Sequence, residues 1–252
     1  MKKRLSIIFA LILFLPLLFL LNNFNKNAFN ASSESSLSLN LEKETVALTS
    51  LESKIRNSAV KVVSVNGLGH GSGSYFKMGD KYIVITAQHV VGSDKRFLIK
   101  ADGTEIVIGN VVFSDELNDI AVLVVPKLNS KKAMKFRPAK KEYDQYLGDD
   151  VFYSSFPSSH SMLSLRGRVV GVEASPRNSY IVNGYAWLGA SGSGVFNDRG
   201  EYMGCLVAID IGATPGGYQL VETIVWVSPI SNIYLKKLRD NVEFYSSSIP
   251  EL

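Results

Sequence analysis

The chain has 252 residues and a formal net charge of +4, and four of its 27 basic residues (Lys2, Lys3, Arg4 and Lys26) fall in the first 31 positions, which contain no acid. The other 23 basic residues balance 23 acidic ones, so the positive charge belongs to the N-terminus; with no basic, aromatic-interleaved motif, nucleic acid is not an expected partner. Cys205 is the only cysteine, which excludes an intramolecular disulfide and leaves the fold to stand on its core.

Residues 5–21 form an uncharged apolar run directly behind Lys2-Lys3-Arg4. Its length lies between a signal-peptide core of about 7–15 residues and a membrane span of about 20. An uncleaved signal anchor, residues 1–24, is preferred over a cleaved signal peptide. The cationic start places the N-terminus in the cytoplasm and the rest of the chain outside it, in the periplasm or beyond the cell, or secreted if the segment is cleaved. Residues 22–41, rich in Asn and Ser, read as a stalk. Leu41, Leu48, Leu51 and Ile55 then recur at helical spacing, which predicts a short amphipathic helix over 41–55.

From about residue 58 the pattern changes to short β-rich runs separated by turn residues: 60–65, 82–86, 96–100, 104–112 and 119–125, then 150–154, 162–173, 179–184, 202–209 and 218–227. This rhythm predicts an all-β fold of antiparallel sheets closing into two barrels. A charged, proline-containing stretch from 126 to 149 divides them. Ile230, Ile233, Tyr234 and Leu238 follow Pro229 with the spacing of an amphipathic closing helix.

Three residues in these elements carry chemistry. A serine hydroxyl is a poor nucleophile at neutral pH; it needs an imidazole to take its proton and an anion to hold that imidazole's tautomer. Ser191 lies in Gly-Ala-Ser-Gly-Ser-Gly, residues 189–194, whose glycines permit a crowded turn. The backbone N–H groups of Gly189 and Ser191 are positioned to converge as an oxyanion hole. His89 stands at the end of the apolar run 82–91, and Asp119 opens the apolar run 119–125. Since His89 and Asp119 belong to the first strand group and Ser191 to the second, the site is expected in the cleft between the barrels. Rival plans fit poorly: an α/β-hydrolase needs a glycine where Ser193 stands and a histidine downstream of the serine, and no histidine follows His160. A subtilisin-like order using Asp80, His89 and Ser191 would require alternating helices and parallel strands.

These residues resemble the motifs of the trypsin-like serine peptidases of the chymotrypsin fold, most closely the bacterial HtrA (DegP-like) branch. Thr86-Ala87-Gln88-His89-Val90, Asp119-Ile120-Ala121-Val122-Leu123 and Gly189-Ala190-Ser191-Gly192-Ser193 carry the likeness, with Gly71-Ser72-Gly73-Ser74 and residues 225–230 in support. The resemblance implies His89 as general base, Asp119 as its orienter and Ser191 as nucleophile. It implies a chymotrypsin-like protease domain over 57–243, with barrels at about 57–126 and 146–228, a stalk and helix over 25–56 and a tail at 244–252. Ala190 stands where the family has Asn or Asp, removing a brace, and Ser193 where it has Gly, adding a Cβ to tight backbone. Tyr185 stands where the family places the floor of the primary pocket, so an Arg- or Lys-directed specificity is not expected and a small or apolar residue is, while Asp210, just beyond the substrate-pairing strand, keeps the cationic alternative partly open. Leu206, Val207 and Ala208 form the strand that pairs with substrate.

The expected activity is endopeptidase cleavage of protein or peptide substrates through an acyl-enzyme, without cofactor or metal; the alternative is a silent binding module on the same fold, anchored to a membrane. The few residues after the closing helix leave no room for the PDZ domain usual in the branch, and the oligomeric state stays open. His70 and His160, in Gly- and Ser-rich loops, read as solvated, and Cys205 as a small buried hydrophobe.

Overall fold

The computed structural model describes residues 47–247, apart from 67–68, 102, 141–142 and 175–177. The apolar run 5–21, the stalk and the first part of the predicted helix lie outside the described residues. Among those described, no helix is long and apolar enough to cross a membrane.

Two closed six-stranded antiparallel barrels make up the body. The first contains β1 (Ala59–Ser64), β2 (His70–Met78), β3 (Lys81–Thr86), β4 (Arg96–Lys100), β5 (Ile106–Asp115) and β6 (Ile120–Val125), in the order β1-β4-β5-β6-β3-β2. Pairing of β1 with β2 closes it, and β7 (Met134–Lys135) adds a short parallel edge to β2. The second contains β8 (Asp150–Ser155), β9 (Leu163–Glu173), β10 (Ser179–Asn183), β11 (Gly194–Asn197), β12 (Tyr202–Thr214) and β13 (Gly217–Pro229), closed in the order β10-β13-β12-β11-β8-β9.

The continuous apolar runs beside His89 and Asp119 follow from burial on both faces of a strand. Val84 of β3 and Ala121, Leu123 and Val125 of β6 point into the first barrel with Val60, Tyr75, Phe97 and Ile99. Their alternating neighbours Ile83, Ile85, Ile120 and Val122 point outward, into a seam shared with Phe76, Phe136, Phe196, Tyr202 and the closing helix. Each fully buried side chain of this size contributes about 1.5–3 kcal/mol, so neither face tolerates a polar residue. The second barrel has its own core around Tyr153, Tyr180, Met203, Val225 and Val227.

Three strands depart from the sequence reading. β2 is rich in Gly and Ser, poor strand formers, yet it runs for nine residues because the second barrel and β3 approach it closely. A methyl on Gly71 would lie 2.6 Å from Val90 Cγ2 and 2.8 Å from Ser191 O. β7 and β11 are too short to show a period.

The described N-terminal helix, α1 (Ser50–Ser58), begins where Thr49 caps it: Thr49 Oγ1 accepts from the Glu52 N–H, and the Glu52 carboxylate accepts from the Thr49 N–H. Glu52 also pairs with Arg166 of β9 at 2.6 Å, and Arg56 donates to Met162 O at 2.9 Å, so the helix is clasped to the second barrel. Two further helices complete the fold. One turn, α2 (Gln88–Val91), follows β3, and α3 (Leu235–Ser247) follows a short 3-10 turn. Leu238 and Val242 of α3 are buried in the seam, as the apolar spacing after Pro229 requires.

Candidate active site

His89 is carried by α2 rather than by the end of a strand: β3 stops at Thr86, and Gly92, at φ 52°, ends the helical turn. Asp119 lies one residue before β6 and takes φ 52°, a left-handed conformation costing about 1–3 kcal/mol for a residue with a Cβ. Its carboxylate offsets that strain. Oδ1 accepts the backbone N–H of His89 at 2.8 Å, and Oδ2 accepts from His89 Nδ1 at 2.8 Å. A carboxylate in this geometry only accepts, so the ring proton sits on Nδ1 and Nε2 keeps a free lone pair. Asp119 has a 12% exposed side chain against 41% for His89, so the anion is shielded while the ring is partly open to solvent.

Ser191 sits in a turn that the first barrel pins from behind. Its carbonyl accepts the Ser72 N–H at 2.7 Å, and Ser72 Oγ donates to Gly189 O at 2.8 Å. Thr86 Oγ1, two residues before α2, donates to Ser72 O at 2.7 Å, and Ser74 Oγ accepts the Gly194 N–H at 3.1 Å. Gly71 separates Val90, the neighbour of His89, from the Ser191 carbonyl. The histidine turn, β2 and the serine turn therefore form one packed unit across the two barrels. Among the described residues no hydrogen bond joins the His89 ring to Ser191 Oγ; the two turns are linked by hydrogen bonds through β2 and by direct packing of Gly192 against Thr86 and Ala87.

Gly189 and Gly192 have φ of 95° and 93°, which only glycine adopts without strain. At Gly192 a Cβ would overlap Ser72 O and Thr86 Oγ1. Leu188 O accepts the Ser158 N–H at 2.5 Å; because the peptide is planar and trans, the Gly189 N–H points the opposite way. Among the described residues neither that N–H nor the Ser191 N–H is spent on an internal hydrogen bond. Both stay available to an incoming oxyanion.

The two departures from the family's serine motif find physical places. The Ala190 methyl is fully buried in the core of the second barrel. Ser193 is fully buried, and its Oγ donates to Ala190 O at 2.8 Å, closing the turn from within.

The remaining site residues are distributed as follows. Tyr185 is fixed through its carbonyl, which accepts from Tyr153 Oη at 2.8 Å, while the residue is 39% exposed. Leu206 serves the serine turn: its N–H donates to Ser193 O at 2.9 Å and its carbonyl accepts from Gly192 at 2.8 Å. Val207 is buried and Ala208 exposed. Ser72 and His70 were missed as site residues, although alternating glycines in a strand signal a close backbone approach. His70 is not the solvated loop residue expected from sequence; it opens β2, and its ring reaches Phe156 O at 3.0 Å. His160 is exposed and Cys205 buried. A hollow of about 330 Å³ on the second barrel, lined by Asp150, Arg166 and Arg168 among others, shares no residue with this site.

A family model for the trypsin-like peptidase domain matches residues 71–208, more than half of the chain. The chain belongs to this family. Solved structures of similar fold agree with its trypsin-like architecture. The HtrA-type protease AlgW with a tripeptide has a TM-score of 0.61 at 15% identity, covering 77% of this chain and 63% of its own. A serine endoprotease from Yersinia pestis has a TM-score of 0.59 at 20% identity, covering 78% of this chain and 69% of its own. An inactive serine-to-alanine mutant of Rv3671c from M. tuberculosis has a TM-score of 0.54 at 18% identity, covering 81% and 93%. This trypsin-like chain thus spans less than two thirds of the length of AlgW. Comparison with curated proteins gives no match.

Proposed function

We propose that the protein is a serine endopeptidase that cleaves protein or peptide substrates through an acyl-enzyme. The observation that carries this reading is the orientation of His89: Asp119 holds the proton on Nδ1 and leaves Nε2 as the basic atom of a ring that is partly open to solvent. In the proposed reaction, Nε2 takes the Ser191 Oγ proton as Oγ attacks the scissile carbonyl carbon. The N–H groups of Gly189 and Ser191 receive the oxyanion, His89 returns the proton to the leaving amine, and water then releases the acyl group by the same steps. Val207 and Ala208 offer the strand along which substrate backbone pairs, with Leu206 behind them holding the turn. Tyr185, in place of an acid, favours a small or apolar residue before the cleaved bond.

We read residues 5–21 as the anchor that tethers this activity to a membrane, with the peptidase on the extracytoplasmic side. The test is labelling of the full chain in detergent with a fluorophosphonate probe, together with casein hydrolysis. Labelling is expected in the wild type and lost in Ser191→Ala, with turnover falling by about 10⁴- to 10⁶-fold. Equal labelling of the two proteins, or peptide binding by a wild type that never hydrolyses casein, would overturn the reading.

A further inference from the structure

We infer that His70 is a positioning residue for the oxyanion turn, its ring N–H and the Phe156 carbonyl forming the wall on which the Gly189 peptide is seated. The role in catalysis rests on the serine-peptidase reading; the seat is a matter of geometry alone.

His70 Nε2 lies 3.0 Å from Phe156 O. A carbonyl only accepts, so Nε2 carries the proton. Burial, with the Lys61 and Lys100 cations nearby, holds the ring's pKa below the usual histidine range, which favours a neutral Nε2–H tautomer near pH 7. This hydrogen bond spans the barrels, since His70 opens β2 and Phe156 directly follows β8. Residues two apart on a strand share a face, and Ser72 engages the same residue: its Oγ accepts the Phe156 N–H at 2.9 Å. Both polar backbone groups of Phe156 are therefore held by alternate side chains of β2.

Gly189 rests on this arrangement. A Cβ built on it would lie 2.6 Å from both His70 Nε2 and Phe156 O, so its α-carbon packs directly against the His70–Phe156 hydrogen bond. Its carbonyl is held by Ser72 Oγ at 2.8 Å, and the preceding Leu188 carbonyl by the Ser158 N–H at 2.5 Å. The partners of the Gly189 region thus come from the 156–158 segment and from β2, and His70 ties that segment to β2. Without the tie, Phe156 keeps only its bond to Ser72, and the wall behind Gly189 is free to withdraw. An oxyanion donor acts at about 2.7–3.1 Å from the developing charge, and misplacement by about 1 Å can cost about 100-fold in rate.

The test compares wild type with His70→Gln, whose amide nitrogen reaches the position of Nε2 and donates as it does, and with His70→Leu, which cannot donate. His70→Asn, too short to reach Phe156, replaces the Leu variant if that one fails to fold. With a chromogenic peptide substrate, kcat is expected to fall by about 10- to 100-fold in the non-donating variant, below the loss of a whole oxyanion donor, with KM within about three-fold and most of the rate restored in Gln. Wild-type kcat in a folded His70→Leu, or equal losses in Leu and Gln, would overturn the inference. If the wild type proves inactive, the peptidase reading fails instead, and the ¹⁵N–¹H shift of the Gly189 amide decides this one. A shift in Leu but not in Gln supports the seat, and an unmoved amide in both overturns it.

Discussion

In the first barrel the site is held by side chains: one carboxylate, Asp119, binds both the backbone and the ring of His89. In the second barrel it is the turn's own backbone that is held: its carbonyls and N–H groups bond to β2, including the Ser72 and Ser74 hydroxyls, with two left-handed glycines and only Ser193 of the turn bonding from its own side chain. Side-chain support can be removed one function at a time while the fold stays. Backbone support fails when a Cβ is added at Gly192, because its nearest neighbour, Ser72 O, is a backbone atom that cannot rotate away.

Four substitutions and one control break or sharpen that contrast. Asp119→Asn should lower kcat by about 10⁴-fold at pH 7 by spoiling the tautomer of His89, with a thermal melt close to wild type. A loss under ten-fold in ester hydrolysis would show that the carboxylate is not the orienting group. Gly192→Ala, by contrast, should damage both properties, cutting turnover by about 100-fold or more and destabilising by about 2–4 kcal/mol through strain and overlap with Ser72 O. Gly216→Ala in the β12–β13 hairpin, where an added Cβ would meet nothing within 4 Å beyond its chain neighbours, is the control and should stay within about 0.5 kcal/mol by denaturant titration.

Ser193→Gly removes the one side-chain bond inside the serine turn and should cost about 1 kcal/mol. Turnover measured alongside should fall only slightly, since the backbone bonds remain. Glu52→Gln tests side-chain support on the second barrel away from the site. Hydrogen bonding to Arg166 and then to the Thr49 backbone lowers the Glu52 pKa from 4.5 to about 2. The folded carboxyl is more acidic than the unfolded one, so its contribution is fully present above pH 4.5 and is lost as pH falls toward 2. The variant should melt a few degrees lower than wild type at pH 7, and the two curves should merge near pH 2, with kcat unchanged.

The legible parts of the fold were those whose burial imprints a pattern. β3 and β6 are buried on both faces and read as unbroken apolar runs, and α3 shows its spacing because one face enters the seam. β2 left no such imprint, since its Gly and Ser residues answer to the backbone of the other barrel, about 120 positions away at Ser74 and Gly194. His70 failed to register for the same reason: flanked by Gly69 and Gly71 it looks like a loop residue, and its partner Phe156 is brought to it only by docking of the barrels. The placement of His89 on a helical turn was also hidden, because Val90 and Val91 continue the apolar run while Gly92 ends a helix.

By itself the sequence determined the composition of the site: a histidine, an aspartate and a glycine-flanked serine in a fixed order, each beside a run that must be buried. Tertiary structure alone decided how those residues are held. Asp119 reaches His89 across 30 residues, and the serine turn takes its shape from a strand of the other barrel. Residue types are written locally, whereas a hydrogen bond between a carbonyl and a distant N–H exists only once both barrels have closed, and almost any residue can supply those groups.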